Sequence, residues 1–266
     1  MNKMNHVLVS LLLSGFIAMF FVCCGLKKQE KQPKVEFPPV IQNLINDMIT
    51  IEGGTFLMGA HTREEEQSLI NNCPLHNVTL STFLIGKYEV TQEQWIAVMG
   101  SNPSWNKNDR CPVENVTFHQ IKQFIERLNA MTQMQFRLPT EAEWEFAARG
   151  GNLSKGYLYS GSNNPKEVAW CGGWSGHKTN HVGSMNANEL GLHDMSGNVA
   201  EMCSDLYNYY TSEDQINPQG PHKSVGGLTN QRVVRGGAYG PPSYVAIRTH
   251  ISEDTHDGIY GFRLAL

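Results

Sequence analysis

Gly191-Leu192-His193-Asp194-Met195-Ser196-Gly197-Asn198-Val199-Ala200-Glu201-Met202 sets two carboxylates on either side of a glycine-containing turn. Glycine reaches backbone angles that other residues resist, so Gly197 predicts a sharp reversal that turns nearby carbonyls inward. Two carboxylates with inward carbonyls make the oxygen-rich set that Ca²⁺ prefers. A plain turn with two solvated acids satisfies the same spacing, so the surrounding chain has to decide between them.

The chain has 266 residues, enough to bury a sizeable core, and a net charge of −4. That charge balance excludes the basic footprint of a nucleic-acid binder. Charged residues make up 17% of the chain against 25 glycines, which predicts a loop-rich globular protein rather than a helical bundle.

The beginning of the chain reads as an export signal. Lys3 precedes an apolar run over residues 7–22, which is short for a membrane span and ends at Cys23-Cys24-Gly25. The pattern resembles a bacterial lipoprotein signal over residues 1–24, with Cys24 as the lipid-attachment site. Phe21 and Val22 stand where small residues are more usual, and an uncut signal anchor is the alternative. Residues 25–45 follow as a polar tether, rich in Lys, Gln, Glu and Pro over 27–39. This address places the protein in the cell envelope, on the periplasmic or outer-membrane side, held to the membrane through its lipid. Four further cysteines, Cys73, Cys111, Cys171 and Cys203, predict one or two disulfides in an oxidising compartment, with no spacing that favours zinc.

Beyond residue 45 the pattern predicts a first strand over 48–58 with a bulge at Gly53-Gly54, and strand material over 78–88. Three capping boxes, Thr91 with Gln94, Thr117 with Gln120 and Thr140 with Glu143, predict three helices. Residues 151–190 read as a long loop that needs a metal or disulfide to fix it. His177 and His181 lie four apart there without a helix to align them. Short strands are expected at 233–235, 245–248 and 262–266.

A set of ordered motifs then carries a resemblance. Gly53-Gly54-x-Phe56-x-Met58-Gly59, Tyr88-Glu89-Val90-Thr91, Asn102-Pro103-Ser104 and Pro112-Val113-Glu114 come first. Arg137-Leu138-Pro139-Thr140-Glu141-Ala142-Glu143-Trp144-Glu145, Ala147-Ala148-Arg149-Gly150-Gly151, the opening stretch, Arg235-Gly236-Gly237 and Gly261-Phe262-Arg263 follow. Over residues 46–266 the chain resembles the formylglycine-generating enzyme, or sulfatase-modifying factor, family. The resemblance implies a single loop-rich α+β domain, a variant of the C-type lectin fold. It also implies a structural Ca²⁺ held by the side chains of Asp194 and Glu201 and the carbonyls of Gly197 and Val199.

The family's enzymes oxidise a substrate cysteine to formylglycine with O₂ and a Cu(I) ion held by two thiolates, the soft ligands that ion requires. Aligned on Gly236-Gly237 and Arg248, those positions are Pro241 and Val245, so the sequence argues against copper. A His and carboxylate set, His250 and His256 with Glu253, Asp254 and Asp257, stands in the expected final loop without a regular element to align it. Two functions follow. One is a non-catalytic binding or scaffold module for a protein, peptide or glycan, with Tyr239, Tyr244, Arg248, His250 and Tyr260 as ligand contacts, residue types enriched at binding hot spots. The other is an oxidase or related maturation enzyme acting on sulfatases. A structural part of an envelope machine is a third variant.

Overall fold

The computed structural model describes residues 37–60, 74–223 and 228–266. The expected signal, Cys24, most of the tether, Cys73 and the Glu64-Glu65-Glu66 run lie outside the described residues. Residues 37–266 form one compact unit.

The unit begins earlier than expected. Pro38-Pro39 starts helix α1 (Pro39–Asn46), because proline pre-sets the backbone for a first helical turn and its missing N–H is not needed there. Ile41 and Leu44 are 0% and 5% exposed in the core, so the predicted tether is corrected at its end: residues 39–45 are packed helix.

The single strand predicted over 48–58 is two. Strand β1 (Met48–Ile51) pairs antiparallel with β4 (Phe83–Gly86), whereas β2 (Gly54–Met58) pairs with β3 (His76–Leu80) in a different sheet. Gly53 lets the chain change sheets, because a Cβ there would sit 2.4 Å from the Leu80 carbonyl oxygen. The run at 78–88 divides between the same two sheets.

All three capping boxes close. Thr91, Thr117 and Thr140 each accept the N3 amide while the N3 side chain reaches back, starting α2 (Gln92–Met99), α3 (Phe118–Thr132) and α4 (Glu141–Ala148). Ile121, Phe124 and Leu128 of α3 fill one core, where Trp95 stacks on Phe124 at 5.2 Å and Phe262 meets both edge-on. Helix α4 is buried on every side, its three glutamates included.

Strand β5 (Ala200–Leu206), which the pattern did not announce, lies at the centre of the largest sheet. It pairs antiparallel with β7 (Gln231–Arg235) and parallel with β9 (Tyr260–Gly261), and β7 carries β8 (Arg248–Ser252) on its other edge. The two-residue β6 (Gln215–Ile216) adds to β3.

The strand predicted at 245–248 starts only at Arg248. The carbonyls of Val245 and Ala246 accept the buried Arg235 guanidinium at 2.8 and 3.4 Å, so this backbone serves a side chain instead of a ladder. Of 262–266, only Ala265 makes isolated bridges.

The long loop is held by buried amides. The Asn188 side chain donates to the Ala147 carbonyl and Ser160 Oγ, and its Oδ1 accepts the Leu190 and Leu192 amides. Cys111, Cys171 and Cys203 are buried free thiols, which corrects the expectation that these residues form disulfides. Burial pushes the Cys171 thiol up to about 11.

Candidate functional site

The turn between Asp194 and β5 is built differently from its sequence reading. Asp194 and Asn198 hold the positive φ angles, +62° and +66°, as short polar side chains tolerate. Gly197 is needed instead for close approach, since a Cβ would lie 2.6 Å from the Trp170 carbonyl oxygen.

Four ionisable groups converge under this turn, all withdrawn from solvent: Glu89, Asp194, Glu201 and Arg263. Glu201 Oε2 accepts Trp144 Nε1 at 2.7 Å and Arg263 Nε at 2.6 Å, and its Oε1 accepts Arg263 Nη2 at 2.7 Å. Glu89 accepts Asn198 Nδ2 at 2.6 Å and the Val199 amide at 3.1 Å. Burial, with Asp194 and Glu201 adding their charges, pushes the Glu89 carboxyl well up. Asp194 Oδ2 accepts the Gly183 amide at 2.7 Å, while its Oδ1 is buried with no hydrogen-bond partner. Burial drives the Asp194 carboxyl up to about 6.

Three carboxylates thus face one guanidinium. An unpaired carboxylate away from water costs several kcal/mol, on the order of a lost ion pair, unless it is protonated or meets a cation. Asp194 Oδ1 therefore fits a hard cation. Both oxygens of Glu201 are already taken by Arg263 and Trp144. No group of three His, Cys, Asp or Glu side chains among the described residues is placed to hold a metal.

The expected ligand contacts differ in burial. Arg248 is corrected: it is buried, its Nε and Nη2 donating to Glu141 Oε1 and Oε2 at 2.7 and 2.6 Å and its Nη1 to the Asn208 carbonyl. Its guanidinium also lies over the Tyr207 and Tyr210 rings. Burial raises the Glu141 carboxyl, but Arg248 and then Arg235 outweigh it and hold it below the ordinary range. His250 belongs to β8, not to a loop; its ring packs 4.4 Å from that of Tyr207, with Nδ1 3.1 Å from Gln231 Oε1. Tyr244 packs on Tyr159 at 5.1 Å. Tyr239 and Tyr260 are half-buried, and both have Asp257 as an electrostatic neighbour that, after burial, raises their hydroxyls.

Pro241 is exposed, Val245 is wholly buried in the apolar core beside Trp144, and no described thiol is exposed. This donor set does not fit a bis-thiolate copper centre. Glu89, Arg263 and Trp144 are what the sequence reading left without a role, although all three stand in quoted motifs.

An α+β domain with two small sheets, a four-stranded sheet and a long irregular loop packed over a buried charge cluster defines the class of this protein. Residues 33–266 match the sulfatase-modifying factor enzyme 1-like domain, and the chain belongs to that family. It is 35% identical over 214 residues to the chaperone protein LppX of Paenibacillus barcinonensis, covering 62% of this chain and 73% of that one. It is 28% identical to the formylglycine-generating enzyme of Thermomonospora curvata, covering 84% and 94%. Treponema denticola variable protein 1 has a similar solved structure, with TM-score 0.72, 32% identity and coverage of 82% and 94%. The chain also matches the serine/threonine-protein kinase Pkn1 of Chlamydia trachomatis at 30% identity, but spans only 34% of it.

Proposed function

We propose that this chain is a non-catalytic binding or scaffold module of the cell envelope, attached through lipid on Cys24. The observation that carries the reading is the chemistry at the two positions aligned with the family's copper thiolates. Pro241 offers no ligand atom, and Val245 fills that part of the core with hydrocarbon. The similarity to a chaperone protein supports a role in holding another macromolecule. Asp194, with the carbonyls of Gly197 and Val199 and the neutralised Glu201, takes a structural Ca²⁺ in this reading.

Incubation of the full-length protein with a Cys-x-Pro-x-Arg peptide, copper and O₂, read by mass spectrometry, tests the assignment. The expected product is unmodified peptide. Formation of the aldehyde overturns the proposal in favour of a formylglycine-generating oxidase, the activity named for the relative from Thermomonospora curvata.

A further inference from the structure

A cavity of about 280 Å³ opens beside the long loop, lined by residues of two segments, 106–111 and 170–184. It lies just below the usual range of ligand pockets, roughly 300–1,000 Å³, which suits a single small ring. Its polar walls are already fixed by the protein. Asn106 Nδ2 donates to the carbonyl and Oγ1 of Thr179, both at 2.9 Å. The Asn180 amide donates to Asn198 Oδ1, and the Asn180 side chain donates to the Ser175 and Lys178 carbonyls. Trp170 Nε1 donates to Ser184 Oγ at 2.8 Å, which pins the indole as one wall.

The charge of the lining is one-sided. No carboxylate lines the cavity, whereas the Lys178 ammonium and the His181 imidazole do, and both residues are exposed. Asn108, also exposed, adds an amide to the rim. The chemistry offered is therefore an aromatic face for C–H groups, amides and hydroxyls for hydroxyls, and a cation for one negative charge.

We propose that this cavity binds an acidic sugar, a pyranose ring carrying a carboxylate, with its ring against Trp170, its hydroxyls on Asn106, Thr179 and Asn180, and its carboxylate toward Lys178. The assignment rests on reading the chain as a binding module and supplies the ligand class. It does not involve the segment carrying Pro241 and Val245, so it can fail while the peptide assay above still returns unmodified peptide.

The test is calorimetric titration of the full-length protein in detergent with glucuronate, galacturonate, glucose and acetate. Saturable binding of a uronate, with glucose and acetate each at least about tenfold weaker, is the expected result. Lys178→Ala is expected to weaken the uronate by about tenfold, the scale of one hydrogen bond to a charged group. Asn108→Asp, an exposed change that keeps its Oδ1 available to the Arg110 amide, should weaken it as well by adding a negative charge to the rim. Acetate binding as tightly as uronate reduces the site to anion capture, and glucose binding as tightly removes the role of Lys178. Either outcome, or no uronate binding at all, overturns the proposal. Unchanged uronate affinity in both folded variants places the sugar elsewhere and overturns it too.

Discussion

Arg263 clasps Glu201 through two parallel hydrogen bonds, Nε to Oε2 at 2.6 Å and Nη2 to Oε1 at 2.7 Å, with both side chains fully excluded from solvent. The same guanidinium donates to the Gly86 and His193 carbonyls, tying the segment after β9 to the end of β4 and to the turn at His193. Removing one partner of a buried pair costs more than removing both, because the survivor is left charged and unpaired. Arg263→Ala should therefore lose about 3–5 kcal/mol in denaturant unfolding. The double variant Arg263→Met with Glu201→Gln should lose less than that single one.

Calcium removal tests the charge excess at Asp194. Melting of the protein with EDTA is expected to shift to lower temperature and to recover on adding Ca²⁺, because a ligand that binds only the folded state stabilises it by mass action. Asp194→Ala should abolish the response. An unchanged melting temperature after verified metal removal counts against the site.

Asp205 supplies a pH dependence away from that cluster. It is buried, accepts the Glu141 amide at 3.0 Å and the Ser204 hydroxyl at 2.9 Å, and lies near the Glu141 charge. Burial first, then Glu141, raises its carboxyl from 3.8 to about 7. The folded state thus keeps a proton that the unfolded chain releases. This group costs stability progressively as pH rises from 3.8 through about 7, and in full above that. Asp205→Asn should gain on the wild type between pH 5 and pH 8, as the difference in urea midpoint reads out; a difference that is flat with pH would count against the assignment.

Asn188 is expected to govern the long loop. Its side chain satisfies two carbonyl or hydroxyl groups and two amides at once, so Asn188→Ala leaves several buried groups without partners. The Ala147 carbonyl keeps the Gly150 amide, so with about two groups left unsatisfied at roughly 1–3 kcal/mol each the expected cost is about 2–4 kcal/mol. Hydrogen exchange should rise over residues 151–190 well before it rises in α3.

Attachment is tested by fractionation. The wild type should partition with membranes, and Cys24→Ser should leave the chain soluble after export. A wild-type chain that is soluble under the same conditions removes the lipid from the proposal.

Local signals were the legible ones. A capping box is written within four residues, and the three found in the sequence start α2, α3 and α4. The ordered motifs likewise carried the family. Long-range partners were not legible. Arg248 reads as a ligand contact until Glu141, 107 residues away, is seen to hold it. Nothing in the spacing of Glu141, Glu143 and Glu145 announces that Arg137, Arg149, Arg235 and Arg248 close around them. Ordinary hydrophobic patterning also concealed the break at Gly53, where consecutive strands join different sheets. For the candidate site, the carboxylates at 194 and 201 were legible but the guanidinium that neutralises one of them was not.

The docking of α1 has a mechanical side. Ile41 and Leu44 are seated in the main core, and α1 is the first element of the described domain. This short helix holds on by two buried anchors, while every described strand lies further along the chain. A pull at Pro39 would load these two anchors before it reached any strand.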